Sequence, residues 1–287
     1  MRRPQEIAKE EKSMATLSML TNVLEGIASM RISQIKNQVL QAQEFFGELW
    51  NIYSQLRVDD RFRFGRDMSN ADVLQKDLLI GITAEGGFSG DIDQRLIESL
   101  VSVYEPDKHD IVVIGQHGAV QLHQAGIAFT KYFKLPIKDQ NLQVEPLISE
   151  IKKYRSTTVY YQTYVSLMVQ EIKHIELGNE IQARGQSIKT DAKEEIIGEE
   201  NYIFEPSTLD VVSYLEHVML QIAISQVILE SKLAQYASRF RAMSSAHTKA
   251  EELRDDFHSQ YSHAKRAMKD ERLKEIINGL RKIRATV

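Results

Sequence analysis

The chain has 287 residues and a mass of 32.9 kDa; it is 43% hydrophobic and 26% charged, with a net charge of −4. That content suits one large domain or two ordinary ones with a buried core, and excludes disorder as the main state, whose signature is low hydrophobicity with high net charge. With no cysteine, disulfide scaffolds and thiolate metal sites are excluded as well. No run approaches the roughly 18 apolar residues of a membrane helix, and Met1-Arg2-Arg3-Pro4-Gln5-Glu6 lacks the apolar core of a secretory signal. A soluble, intracellular protein is the expectation.

Five prolines, at 4, 106, 136, 146 and 206, set the plan, because proline is the strongest helix breaker. They predict a front helix over 1–57, a middle module over 58–206 and a back helix over 207–287. Net charge divides with them, as +1, −8 and +3.

In the front segment the only glycines after residue 5 are Gly26 and Gly47. Ile32, Ile35, Val39, Ala42, Phe46, Leu49, Tyr53 and Leu56 alternate spacings of three and four, the narrow seam of a coiled coil.

The middle alternates in type. Asp77–Thr83 and Asp110–Gly115 read as short buried strands, each followed by a turn and then by helices over about Asp91–Tyr104 and Ala119–Ala125. A third helix is expected over Leu142–Tyr154. Strands are expected over Thr157–Tyr161, Ser166–Ile172 and Tyr202–Phe204. Strands alternating with helices imply a largely parallel, doubly covered, Rossmann-like sheet.

The turn Thr83-Ala84-Glu85-Gly86-Gly87-Phe88-Ser89-Gly90-Asp91 carries neither a dinucleotide fingerprint nor a phosphate loop. No lysine is there to meet a phosphate, and Glu85 and Asp91 would repel one. Gly115-Gln116-His117-Gly118 is similarly bare. The eight histidines (109, 117, 123, 174, 217, 247, 258, 263) are scattered, and neither H-E-x-x-H nor G-x-S-x-G occurs. Glu216-His217 and the acids Glu194, Glu195, Glu199 and Glu200 read as surface residues. No catalytic, cofactor-binding or metal-binding residue is assigned.

The back segment opens with Pro206-Ser207-Thr208-Leu209-Asp210, a serine cap three residues before an acid. An unbroken helix of about 80 residues would be about 120 Å long, so it must leave a compact body, with the front helix as its natural partner. Between Val211 and Leu233 it is apolar on several sides, as expected beside a domain. Beyond Ala234 the seam is Phe240, Met243, His247, Ala250, Leu253, Phe257, Tyr261, Ala264 and Met268. The last 27 residues hold eight Lys or Arg against three acids. That end reads either as a solvated, frayed terminus or as a basic tip for an acidic or carbonyl-lined socket. Nucleic acid fits poorly, because the seams carry no aromatic platform and the chain is acidic overall.

Four stretches carry a family likeness. Ile82-Thr83-Ala84-Glu85-Gly86-Gly87-Phe88-Ser89-Gly90 is similar to Ile-Thr-Ser-Asp-Arg-Gly-Leu-Cys-Gly, and Val113-Ile114-Gly115-Gln116-His117-Gly118 to Val-Ile-Gly-Arg-Lys-Gly. Phe204-Glu205-Pro206-Ser207 is similar to Tyr-Glu-Pro-Ser. Glu230 with Ala237-Ser238-Arg239-Phe240-Arg241-Ala242-Met243 matches a Glu followed by Ala-Ala-Arg-Met-x-Ala-Met. Ile27-Ala28-Ser29-Met30-Arg31 is a looser match to Val-Ala-Ala-Ser-Lys-Met. In order, and on this layout, they resemble the gamma subunit, the central rotor shaft, of rotary F-type ATP synthases, in a divergent bacterial form.

The resemblance implies an α/β protein whose two terminal helices form an antiparallel coiled coil around an inserted Rossmann-like domain. It implies a ring of alpha and beta subunits around the coiled coil, with the epsilon subunit and the membrane c-ring at the α/β domain. No nucleic acid, no direct membrane insertion and no cofactor are implied. The place implied is the cytoplasmic face of the bacterial plasma membrane, as a peripheral part of the complex. Such a chain does no chemistry; its asymmetry sets the surrounding catalytic sites in different conformations, coupling ion flow to ATP synthesis or hydrolysis. Arg31, Arg239, Arg241, Lys265, Arg266, Lys269, Asp270 and Arg272 are the implied rotor–stator contacts. Ile82, Thr83, Gly87, Gly90, Glu205, Pro206, Glu230 and Met243 are the implied structural motif residues.

The chain departs from the family at the tip, where Arg-Gln-Ala-Ala-Ile-Thr reads Lys265-Arg266-Ala267-Met268-Lys269-Asp270 and Ala-Thr-Asp-Asn-Ala reads Ala246-His247-Thr248-Lys249-Ala250. A shaft turning in a sleeve also favours small residues and few large apolar patches on its outer face. The other readings are a coiled-coil adaptor with an α/β docking head and an α/β enzyme with helical arms. Small residues, Phe, Tyr and His after residue 234 disfavour the first, and the absent phosphate loop the second.

Overall fold

The structure is a computed structural model and describes residues 3–55, 74–136, 142–178, 205 and 207–285. The predicted strand Tyr202–Phe204, residues Leu56 and Pro206, and the acids at 194, 195, 199 and 200 lie outside them. The elements in chain order are α1 (Pro4–Gln55), β1 (Leu74–Ile82), α2 (Ile92–Val101), β2 (His109–Ile114), α3 (Gln116–Gln124), β3 (Lys131–Phe133), α4 (Glu145–Ile151), β4 (Tyr154–Tyr164), β5 (Gln170–Glu176) and α5 (Thr208–Ala285). They form two compact units, Met1–Ile27 with Phe240–Val287, and Ala28–Arg239.

The larger unit holds a five-stranded sheet in the order β3-β2-β1-β4-β5. β1 pairs in parallel with β2 and with β4, β2 pairs in parallel with β3, and β5 runs antiparallel against β4. Alternation along the strands builds two cores, because successive side chains point to opposite faces. Ile80, Ile82, Val112, Ile114, Val159 and Tyr161 join α4 and the helix residues Phe46, Trp50, Met219, Ile224, Val227 and Ile228. Leu79, Ile111, Val113 and Tyr160 face α2 and α3, through Leu96, Leu100 and Leu122. The doubly covered, Rossmann-like arrangement is thus present.

Element ends differ from the sequence reading for local reasons. α4 is shorter than Leu142–Tyr154, because Pro146 sits in its first turn and β4 already begins at Tyr154. Ser166–Val169 form the β4–β5 turn rather than strand, and Gln170 holds that turn by donating to the carbonyls of Ser166 and Leu167. β3 has three residues, too few to show a period. The α1 seam is buried at Ile32, Ile35, Val39 and Phe46, and then at Trp50 while Leu49 is only partly covered. Trp50 stacks on Phe46 with ring centroids 6.5 Å apart.

One eighteen-residue window of α5 is long and apolar enough, by composition alone, to cross a membrane, which the sequence reading did not anticipate. The apolar run of this helix is buried at Val212, Met219, Ala223, Ile224, Val227, Ile228, Leu229 and Leu233, and Met219, Ala223, Ile224, Val227 and Ile228 join the core beneath the sheet. The predicted cap is in place. The Asp210 N–H donates to Ser207 Oγ at 3.2 Å, and that hydroxyl donates to the Asp210 carboxylate at 2.6 Å.

In the smaller unit two helical segments run antiparallel. His247 Nδ1 lies 3.0 Å from the Ser18 carbonyl, and His258 Nδ1 lies 2.9 Å from Glu11, so numbers fall on α1 as they rise on α5. A carbonyl can only accept, which puts the proton of His247 on Nδ1. The seam is thin and partly polar, with Ser18, Thr21, Met243 and Ala250 buried and Phe257, Tyr261 and Ala264 half-buried.

The outer face is not poor in apolar groups, contrary to expectation. Leu17, Met19, Leu20, Val23 and Ile27 on α1 are 43–70% exposed, and Leu273, Ile276, Ile277 and Leu280 on α5 are 42–62% exposed. The latter fall at helical spacings of three and four, a stripe that the basic composition of this end hid.

Leu96 is fully buried between α2 and the sheet. Leu96→Ala is expected to cost ~2–5 kcal/mol of unfolding free energy, read from the shift of a urea denaturation midpoint.

Candidate functional site

In open α/β sheets ligands bind at the carboxyl ends of the parallel strands, where helix N-termini point. Here the chain's own groups occupy that crevice. Thr83 leaves β1 with its hydroxyl donating to the Ile114 carbonyl at 3.0 Å and accepting from the Gly118 N–H at 2.9 Å. Glu85 accepts from the N–H of Gln116 at 3.3 Å, the N–H of Leu135 at 3.2 Å and the Tyr132 hydroxyl at 2.9 Å. A carboxylate therefore stands at the N-terminus of α3, where a phosphate would have to go.

The glycines of Gly115-Gln116-His117-Gly118 serve this closure. Gly115 has φ +96°, and a Cβ there would lie 2.0 Å from the Thr83 carbonyl oxygen. A Cβ on Gly118 would lie 2.7 Å from Thr83 Oγ1. Only glycine lets the start of α3 approach β1 so closely.

Behind the turn lies a buried polar cluster that the sequence reading missed. Asp93, on the first turn of α2, accepts from the Ala84 N–H at 3.2 Å, Gln162 Nε2 at 2.8 Å and His117 Nδ1 at 3.1 Å. Gln162 of β4 accepts in turn from Ser231 Oγ at 2.5 Å and Gln235 Nε2 at 3.4 Å, both on α5. Ser238 Oγ donates to the Ser89 carbonyl at 2.7 Å, and Arg239 donates to the carbonyls of Gly87 and Gly86, each at 3.2 Å. Asp93, Gln162, Ser231, Gln235, Ser238 and Ser89 are all buried. Two signals were available: a glutamine interrupting the apolar strand around Val159–Tyr161, and polar residues at 231, 235 and 238 on one face of an apolar helix. Phe88, at the outer tip of the turn, is 66% exposed with φ 70°, a left-handed conformation unusual for an aromatic residue.

Burial raises the Asp93 carboxyl above its ordinary 3.8, against the lowering pull of the Ala84 N–H, His117 and Ser89. Glu150 goes the other way. Its burial opposes ionisation, but Lys131 at 2.5 Å and Lys153 at 2.9 Å hold it below the usual carboxylate range.

The implied motif residues separate into kinds. Ile82, Thr83 and Met243 are buried, and Gly87 and Gly90 belong to the turn, Gly90 at φ +66°. Glu205 is exposed, and Glu230 lines a half-open pocket of about 380 Å³ with Gln43, Tyr161, Thr163 and Lys173. Of the implied contact residues, Arg239 is engaged with the chain's own turn. Arg31 reaches Gln34 at 3.4 Å on its own helix, and Arg241 is half-buried. Lys265, Arg266, Lys269, Asp270 and Arg272 are exposed, Lys265 lying over the Tyr261 ring at 5.5 Å.

Glu216 is not a surface residue. It is buried on α5 and accepts the Tyr53 hydroxyl of α1 at 3.1 Å. His217 beside it accepts from Lys152 at 3.1 Å and donates to Glu145 at 3.0 Å. Among the described residues no His, Asp and Glu side chains gather as a metal-binding group.

The profile of the ATP synthase family matches residues 3–282. The chain belongs to the ATP synthase gamma family. Curated relatives include the ATP synthase gamma chain of Mycoplasmoides gallisepticum, 23% identical with 97% of this chain and 99% of that one covered. The gamma chain of Enterococcus hirae is also 23% identical, with 96% of each covered. Among solved structures, a chain of the Euglena gracilis mitochondrial ATP synthase (OSCP/F1/c-ring) has the same fold, with TM-score 0.65 at 14% identity over 98% of this chain and 95% of that one. One from the Tetrahymena thermophila central stalk and c-ring reaches TM-score 0.57 at 14% identity, over 79% and 99%. As a gamma-family chain it is a non-catalytic subunit of the ATP synthase complex.

The sign of the Asp93 shift predicts a pH dependence. The folded carboxyl holds its proton more tightly than at 3.8, so its contribution to stability is full below that value and is lost as pH rises through the folded value. Asp93→Asn does not ionise. Its unfolding free energy is expected to gain on the parent as pH rises from 3.8 through that window, measured by urea unfolding at each pH.

Proposed function

We propose that the chain is the central rotor shaft of a rotary F-type ATP synthase, with shaft helices over 1–57 and 207–287 and an α/β head over 58–206. The observation that carries this reading is the antiparallel pairing of α1 with the 78-residue α5, at His247–Ser18 and His258–Glu11. Such a chain contributes stiffness and asymmetry rather than a reaction. The paired helices would stand inside the ring of alpha and beta subunits, and the head would meet the epsilon subunit and the c-ring. The complex would sit at the cytoplasmic face of a bacterial plasma membrane, consistent with the bacterial relatives, with this chain peripheral to the bilayer.

At the tip, the exposed side chains of Lys265, Arg266, Lys269, Asp270 and Arg272 would engage stator groups in turn, with Arg31 and Arg241 further contacts. Exposed ion pairs are worth ~0–1 kcal/mol each, which suits contacts broken on every step. Arg239 is assigned to the chain's own turn as well as to the motif.

Two measurements test the reading. Affinity purification of the tagged chain from cells is expected to recover ATPase catalytic subunits; recovery as a stable self-sufficient dimer without them would sink it in favour of the adaptor. Truncation from Lys265 is expected to leave the cooperative unfolding of the head unchanged while lowering ATP-driven ion pumping, and a collapsed head would contradict the modular plan.

A further inference from the structure

A head that passes torque to a helix needs contacts that resist sliding. The hydrophobic gain is itself non-directional and roughly proportional to area, and close packing supplies register only through shape. Hydrogen bonds weaken steeply with misalignment, so a set of them is satisfied in one register only.

α5 presents both kinds of surface to the head. Val227, Ile228 and Leu229 are buried and adhesive. One turn further on, Ser231, Gln235 and Ser238 stand at i, i+4 and i+7, on one face of the helix. Each meets a different fixed partner or shares one: Ser231 and Gln235 meet Gln162 of β4, and Ser238 meets the backbone of the turn after β1. Gln162 is tied to Asp93 of α2, and Asp93 to the Ala84 backbone and to His117 of α3. Lys232 donates to the Pro136 carbonyl at 2.7 Å from a neighbouring face of the helix. The contacts therefore reach α5 from β4, from the turn after β1 and from the segment after β3, and they are cross-linked to α2 and α3.

Buried polar side chains are costly to desolvate, and apolar residues of similar size would adhere as well without that cost. Their value lies in direction. We propose that Gln162, Ser231 and Ser238 are positioning residues that key the α/β head to α5, so that twist passes between head and helix without slippage. This rests on the rotor-shaft reading. The hydroxyls of Ser231 and Ser238 act as teeth; Gln162, held by Asp93, is the slot for the first and the Ser89 carbonyl is the slot for the second.

The test uses the complete ATP synthase in inverted membrane vesicles, carrying the parent chain, Ser231→Ala, Ser238→Ala, the double serine variant or Gln162→Leu. Three quantities are read: the ATP hydrolysis rate, the membrane potential built per ATP hydrolysed (by a potential-sensitive dye), and the torsional stiffness of single rotors. Hydrolysis is expected to hold near the parental rate, while potential per ATP and stiffness fall, further in the double variant than in either single one. The serine variants each remove one hydroxyl and keep the test decisive if Gln162→Leu fails to assemble. Parental stiffness and potential per ATP in the double variant would overturn the proposal, as would hydrolysis and potential falling in strict proportion. Failure of the parent chain to assemble with ATPase subunits would instead overturn the shaft reading beneath it.

Discussion

α5 must solve two packing problems in one unbroken helix, and most of the molecule follows from how its residues are graded to do so. Beside the sheet it is covered on several sides and carries Met219, Ile224, Val227 and Ile228 in the core it shares with Phe46 and Trp50. Past Arg239 a single helix partner covers one narrow face, and the buried seam residues shrink to Met243 and Ala250, with Leu253 half-buried. A long helix gains little from propensity alone and depends on tertiary packing of its apolar face. Continuity without Gly or Pro from Thr208 to Asn278 keeps the hydrogen-bond ladder whole where packing is thin.

The head illustrates how a fold built for ligand binding is closed by its own sequence. Its parallel strands and strand order leave a crevice at their carboxyl ends, and α3 aims its N-terminal N–H groups there. Glu85 takes the first of those donors, the Gln116 N–H, and Thr83 locks β1 to the start of α3 through two glycines that admit no side chain. Charge favouring the helix N-terminus is thereby supplied internally, and an anion would have to displace it. The crevice becomes a joint.

What could be read beforehand tracks the range of the interactions involved. The two long helices, the sheet class and the Ser207 cap rest on local periodicity and composition, and all were legible. The seam was legible to within a residue at Leu49 and Trp50, a position where only the neighbouring helix decides which side chain is covered. β3 was invisible because three residues carry no period. The buried role of Glu216 depends on Tyr53, 163 residues away in sequence, and the Gln162 cluster on α5, 69 to 73 residues away. The family likeness marked Ser238 and Arg239 as part of a motif, but it could not say that both are spent on the chain's own turn.

The distribution of polar and apolar groups between inside and outside then acquires a mechanical sense. In the proposed shaft, inner contacts must not slip and outer contacts must. The inner joint at Gln162 is polar, directional and buried. The outer faces carry apolar stripes, at Leu17–Ile27 and at Leu273–Leu280, accompanied by basic residues at the tip. Fully burying one Leu or Ile stabilises by ~1.5–3 kcal/mol, while an exposed ion pair contributes ~0–1 kcal/mol. A sleeve around the tip would therefore be held mostly by apolar contact. The charges at Lys265, Arg266, Lys269 and Arg272 would add a shallow, angle-dependent ripple. Weak charges alone could neither centre the tip nor keep water from its apolar stripe. With the stripe beside them, centring and registration become separate tasks for separate residues.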